Sequence, residues 1–210
     1  MELPRSTTYH LLRELEDSGF VVHLKNPGTY GLGLAAYRMS QAYTTQQPLV
    51  RLATKPLARI AALAGGSAHL TRLAGSEIVY LHEVRAPGAV SLVTEVGVRL
   101  PALATASGRI MLAHLPDAEL RAVFTSSGER RRYSEVKAQL IDVREHGWES
   151  ECEEVSRGQE SVAVAVLDHL ERPAAALAAT FPVGSTDKQA LLGALEDASA
   201  RLRTQFFGNR

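Results

Sequence analysis

Cysteine is nearly missing from this chain, with Cys152 alone among 210 residues. One thiol excludes an internal disulfide and fits a reducing compartment, so a cytoplasmic location is expected. Surplus charge is missing too: Lys plus Arg number 23, and so do Asp plus Glu. Global charge therefore favours neither a polyanion nor a membrane surface. No apolar stretch approaches the roughly 20 residues of a membrane-spanning helix, and no signal-peptide pattern opens the chain. Catalytic and metal patterns are equally scarce. His10, His23, His69, His82, His114, His146 and His169 are scattered, with no i, i+4 pair and no Cys/His cluster. No metal or other cofactor is expected. Ser107-Gly108 lacks the Gly-x-Ser-x-Gly nucleophile elbow, and adjacent His82 and Glu83 would point to opposite faces of a strand. An enzyme is not expected.

What is present starts with Leu3-Pro4-Arg5-Ser6-Thr7-Thr8-Tyr9-His10-Leu11-Leu12-Arg13-Glu14-Leu15. Thr8, Leu11, Leu12 and Leu15 recur at i, i+3, i+4 and i+7, one apolar stripe of a helix. Pro4 suits its first turn, and Gly19 stands where a left-handed C-terminal cap belongs. Off the stripe lie Arg5, Ser6, Tyr9 and Arg13, with Thr7 and His10 beside them. Short hydroxyls reach phosphates, and Arg reaches a guanine edge. Phe20-Val21-Val22 and Thr29-Tyr30-Gly31-Leu32 are short β-prone runs around the turn Lys25-Asn26-Pro27-Gly28. Helix, strand, turn, strand is the order that ends a winged helix-turn-helix. An amphipathic helix and hairpin that only pack on a core would read the same way. Residues 1–33 set Arg5, Arg13 and Lys25 against Glu2, Glu14, Glu16 and Asp17, so the basic footprint of a duplex binder is absent. A recognition helix also needs other helices to hold it at the groove, and these are expected to be missing ahead of Leu3.

The length suits one small and one medium unit, and a hydrophobic content of 45% is ample for a core. Residues 34–48 read as a helical linker ending at Pro48. Leu49 to Ala64 has a helical period that Pro56 should kink or interrupt. Strand-like runs follow at Ala68–Ala74, Ile78–Val84 and Val90–Val96. Helices are expected over Thr105–Leu115, Pro116–Phe124 and Ser134–His146, the last with Ser134 as cap and Gly147 as stop. Buried-type strands at Val162–Leu167 and Ala174–Thr180 precede a closing helix over Lys188–Phe206. Strands bounded by helices at both ends predict an α+β domain, one sheet with helices packed against it.

A candidate small-molecule site opens that middle helical stretch. Thr105 can cap the helix, leaving the amides of Ala106, Ser107 and Gly108 at its positive end, a ready anion site. A capped helix that binds nothing fits the same residues. Further on, Glu149, Glu151 and Glu153 would share one strand face. Glu149, Glu153 and Glu154 read as a solvated acidic face. Ala178 and Thr180 share a face of the last strand and could look into one cavity.

Three ordered motifs resemble the IclR-type bacterial transcriptional regulators over essentially the whole chain. The first is Leu3-Pro4-Arg5-Ser6-Thr7…His10-Leu11-Leu12…Leu15-Glu16…Gly19-Phe20-Val21 with Tyr30-Gly31-Leu32-Gly33, similar to that family's recognition helix and wing. The second is Gly97…Arg99-Leu100-Pro101…Ala104-Thr105-Ala106…Gly108-Arg109. The third is Gly147-Trp148 followed by the acidic run, Gly158 and Ser161-Val162-Ala163. The resemblance implies a partial winged helix-turn-helix over 1–33, a linker helix over 34–48 and a GAF-like effector-binding domain over 49–210. It implies operator DNA as a partner, read by Arg5, Ser6, Thr7, Tyr9, His10, Arg13 and Lys25. It also implies a homodimer or tetramer that senses a small organic or aromatic acid. Effector contacts would come from the amides of Ala106 and Ser107, with Thr105 and Gly108 at the same turn. Leu92 and Leu100 would form an apolar wall, and Glu151, Ser161, Ala178 and Thr180 would supply the polar side. Members often have His where Leu103 stands, Lys for Arg109, Asp for Glu151, Cys for Ser161 and Ser for both Ala178 and Thr180. Such changes in a hydrogen-bonding pocket alter which ligand is accepted. The other reading is a stand-alone sensor or oligomerisation module that does not bind DNA by itself.

Overall fold

The structure, a computed structural model, describes residues 4–24, 28–39, 48–90 and 94–208. Lys25, most of the expected turn at 25–28, much of the linker (40–47) and Leu92 lie outside the described residues. The chain divides into two compact units, Met1–Gln47 and Pro48–Arg210.

In the first unit, helix α1 runs Arg5–Asp17. Pro4 stands at its N-cap, one residue ahead of the expected first-turn position, and its carbonyl accepts from the Thr8 amide at 3.0 Å. The other end closes as the sequence implies. Gly19 has φ +73°, its amide donates to Glu16 O and that of Phe20 to Leu15 O, a complete Schellman motif. Strands β1 (Val21–His23) and β2 (Tyr30–Leu32) pair antiparallel, with the His23 and Tyr30 rings edge to face at 4.9 Å. Gly33 crosses Gly19 so closely that a Cβ would lie 2.1 Å from the Gly19 carbonyl oxygen, so only glycine fits there. Residues 34–39 are helical. The stripe on α1 is not buried: Leu12 is half-covered, while Leu11 and Leu15 are exposed. A two-stranded hairpin has too little apolar surface to cover it.

The second unit is a six-stranded antiparallel sheet with helices on both faces. Helix α2 spans Pro48–Ala64. It runs through Pro56 without interruption. The sheet is built from β3 (Ser67–Ala74), β4 (Glu77–Arg85), β5 (Arg99–Pro101), β6 (Trp148–Cys152), β7 (Gln159–Leu167) and β8 (Pro173–Pro182), in the order β5-β4-β3-β8-β7-β6. A 3-10 turn, Ala102–Ala104, leads into α3 (Ala106–Leu112), followed by α4 (Asp117–Ser127) and α5 (Tyr133–His146). Helix α6 (Lys188–Phe207) closes the chain. The Val90–Val96 run forms no strand among its described residues. Helix α5 starts one residue ahead of Ser134: Glu135 accepts from the Arg132 amide at 3.1 Å and takes over the capping role. Gly147 ends it in the left-handed conformation, as expected.

Strand alternation sorts the core. Ala175, Leu177, Ala179 and Phe181 of β8 face α2 and α6, where Leu57, Ile60, Leu191 and Leu195 are fully buried. Each such large side chain contributes about 1.5–3 kcal/mol of burial. Ala176 and Ala178 face the other way with Ala163 of β7, and their small size lets the short α3 lie close against the sheet. That close approach creates the site.

Candidate effector-binding site

Register places the polar residues of four neighbouring strands in one row. Ser67 of β3 pairs with Thr180 of β8, Thr180 with Ser161 of β7, and Ser161 with Glu151 of β6. The row is hydrogen-bonded: Ser161 Oγ donates to Glu151 Oε1 at 2.6 Å and lies 3.0 Å from Thr180 Oγ1. Glu151 is almost wholly buried, and its second oxygen accepts from the Glu154 amide at 3.0 Å. A buried carboxylate needs such partners, and this one has them.

Opposite the row stands the start of α3. Thr105 caps the helix, its Oγ1 accepting from the Gly108 amide at 3.0 Å. The Gly108 amide is therefore spent, which corrects the expectation that three amides stand free. Those of Ala106 and Ser107 have no partner among the described residues. Gly108 is needed for packing, since a Cβ there would lie 2.0 Å from the Ala102 carbonyl oxygen.

Between these walls is a small cavity with about 20 Å³ of free space, room for one water. Thr105, Ala106, Ser107, Glu151, Ser161, Ala178 and Thr180 all line it. Leu100 does not: it pairs with Ile78 on the edge strand and packs into the helix-side core. Five lining residues escaped sequence reasoning, His69, Tyr80, Thr94, Val155 and Ser156. The signal for His69 was available in the alternation Ser67-x-His69-x-Thr71, polar on every second residue of a strand. Burial pushes His69 down to about 4, against the opposing pull of Glu83. Burial, with Glu151 and Glu83 nearby, raises the Tyr80 phenol.

One ion cluster holds the walls together. Arg109 on α3 is only 4% exposed. Its guanidinium donates to Leu103 O, Ser150 O and both Glu154 oxygens at 2.8–3.2 Å, while Nε sits 3.3 Å from Glu149 without hydrogen-bond alignment. Glu149 and Glu154 are therefore ion-pair partners, not a solvated face.

In the first unit, Arg5, Ser6, Thr7, Tyr9, His10 and Arg13 are all exposed on α1. No described helix is long and apolar enough to cross a membrane, and no group of three metal-ligating side chains occurs among the described residues.

Residues 41–203 match the family model described as the C-terminal domain of the bacterial transcriptional regulator IclR. The chain belongs to the IclR family. The HTH-type transcriptional regulator XynR of Escherichia coli K12 is 31% identical over 185 residues, 84% of this chain and 73% of XynR. The Pca regulon regulatory protein of Pseudomonas putida is 30% identical over 219 residues, 99% of this chain and 75% of that protein. The fold agrees as well. The crystal structure of Thermotoga maritima IclR superposes with a TM-score of 0.74 at 22% identity, covering 97% of this chain and 86% of that one. An IclR homologue from Microbacterium hydrocarbonoxydans, crystallised with 4-hydroxybenzoate, gives 0.76 at 21% identity, covering 96% and 85%. The α+β, GAF-like reading holds, and the family is one of transcriptional regulators, not enzymes.

Proposed function

We propose that this IclR-family chain is a DNA-binding regulator whose second unit senses a small organic or aromatic acid. The observation that carries this reading is the buried Glu151–Ser161–Thr180 row facing two unpartnered amides across a cavity. The amides of Ala106 and Ser107 suit a carboxylate, and the hydroxyl row suits a second polar group on the same molecule. The 4-hydroxybenzoate complex of the Microbacterium homologue supports this ligand class. A benzoate-sized ligand needs the cavity to widen, and Val155 and Ser156 line it from a turn outside the sheet. Operator DNA is read by the exposed face of α1, with Lys25 of the turn as a further contact, in a homodimer or tetramer. Ligand binding to the folded state raises apparent stability. A thermal-shift series with acetate, benzoate and 4-hydroxybenzoate is expected to raise the melting temperature for at least one. No shift with any of them overturns the acid-sensing reading.

The charge of the first unit favours a second reading, a sensor or oligomerisation module that does not bind DNA by itself. Its described residues set Arg5, Arg13 and Arg38 against Glu14, Glu16 and Asp17, with no basic surplus. Operator binding that Arg5→Ala abolishes, with the thermal shift intact, supports the DNA reader. Operator binding indifferent to Arg5→Ala removes the recognition role of α1.

A further inference from the structure

β3 lies in the middle of the sheet, and its helix-side face reads Ser67, His69, Thr71. All three side chains are dry. The two hydroxyls and both imidazole nitrogens have no hydrogen-bond partner among the described residues. Buried polar groups nearly always have one. Of the three, His69 alone lines the cavity, and its two orphaned nitrogens mark a place whose partner arrives from outside the fold. A single water fits the cavity beside His69, and it cannot serve two ring nitrogens that point in divergent directions.

Charge narrows what that partner is. Opposite His69, β4 brings Glu83 as its cross-strand neighbour, Tyr80 in edge contact at 5.3 Å, and Arg85, which pairs with Glu83. β6 brings Glu151, already held by Ser161 and the Glu154 amide. β8 contributes Ala178, without charge. The one charged residue of α3, Arg109, is engaged by Glu149 and Glu154, and beside Thr94 the charged Glu95 is exposed. Neither Lys nor Arg lines the cavity among the described residues. Besides hydroxyls and the Glu151 carboxylate, an acid entering here finds the Ala106 and Ser107 amides and, as the one group that can become positive, the His69 imidazole.

We propose that His69 is the residue that selects the effector: its imidazole takes a proton from solvent as the acid enters and pairs, as imidazolium, with the effector carboxylate. This rests on the acid-sensing reading above. The imidazole lone pair forms the new N–H bond, the carboxylate stays ionised, and no other group changes charge. With no effector the ring is neutral, because burial holds it down to about 4. The carboxylate supplies the counter-charge that reverses this preference.

Isothermal titration calorimetry on the whole protein tests this, with acetate, benzoate and 4-hydroxybenzoate as probes in two buffers of different ionisation enthalpy. Binding at pH 7 is expected to take up close to one proton, and Kd to rise about tenfold per pH unit between pH 5 and 7. His69→Gln keeps a donor and an acceptor but cannot be protonated, so it should bind with no proton uptake and a flat pH profile. His69→Asn serves if the glutamine variant does not fold, and the wild-type uptake stands without either. Binding without proton uptake by the wild type, or uptake unchanged in His69→Gln, overturns the proposal and leaves the acid-sensing reading intact. No binding of any probe overturns both.

Discussion

Arg109 shows how much one side chain can decide. In sequence it is a basic residue near a helix start. In the fold it crosses from α3 to β6 and the turn beyond, and ties the two walls of the cavity. Removing one partner of a buried ion pair costs more than the pair is worth, because the other charge is stranded. Glu154 is half-exposed and can return to water, whereas Glu149 is only 13% exposed and cannot. Arg109→Met is therefore expected to lose about 3 kcal/mol, the low end for breaking a buried pair. Urea unfolding followed by circular dichroism measures it. Arg109→Lys should recover only part, since an ammonium cannot reach the Leu103 and Ser150 carbonyls and Glu154 together as the planar fork does. None of this was legible in the sequence: Glu149 and Glu154 follow Arg109 by 40 and 45 positions, and only the packing of α3 on β6 and β7 brings them together.

At the level of elements, local chemistry was legible and pairing was not. The Thr105 cap, the Gly19 and Gly147 stops and the β1–β2 hairpin follow from residues within a turn of each other, so pattern alone placed them. β5 is three residues long and exists because β4 offers it an edge, a fact no window of sequence contains. The Val90–Val96 run has β-prone composition, yet its described residues, Val90 and Thr94–Val96, lie in no strand. His69 needed the register of β3 against β8 and β4 before its isolation could be seen. Within the site, Gly108 is where one element most tightly constrains another. A methyl there meets the Ala102 backbone, which cannot swing aside as a side chain could. Gly108→Ala should cost roughly 3 kcal/mol, the upper part of the overpacking range. It should also weaken acid binding, by moving the Ala106 and Ser107 amides. A melt showing no loss of stability would mean that the turn before α3 relaxes without cost.

For the whole molecule, the buried imidazole sets how stability depends on pH. In the unfolded chain His69 titrates near its ordinary 6.5, and in the fold near 4. Between those values the unfolded state binds more protons, so stability rises with pH across that window and is complete above 6.5. Going down in pH, roughly 3 kcal/mol is lost, at about 1.4 kcal/mol per pH unit. Burial also lowers His82 and His114, which act with the same sign. Carboxylates contribute in a lower window. The Arg131 guanidinium holds Glu129 down to about 2, and Lys137 lowers Asp117, so their share disappears only as pH falls below the ordinary carboxylate range. The slope between pH 4.5 and 6.5 therefore belongs to histidine, and His69→Gln should flatten most of it in urea melts taken at half-unit intervals. An unchanged slope in that variant would assign the effect to His82 and His114. A saturating acid effector should act on the same slope from the other side. If the folded protein then carries the His69 proton, the difference in protons bound by the two states closes. The stability curve of the complex should run nearly level where that of the free protein climbs.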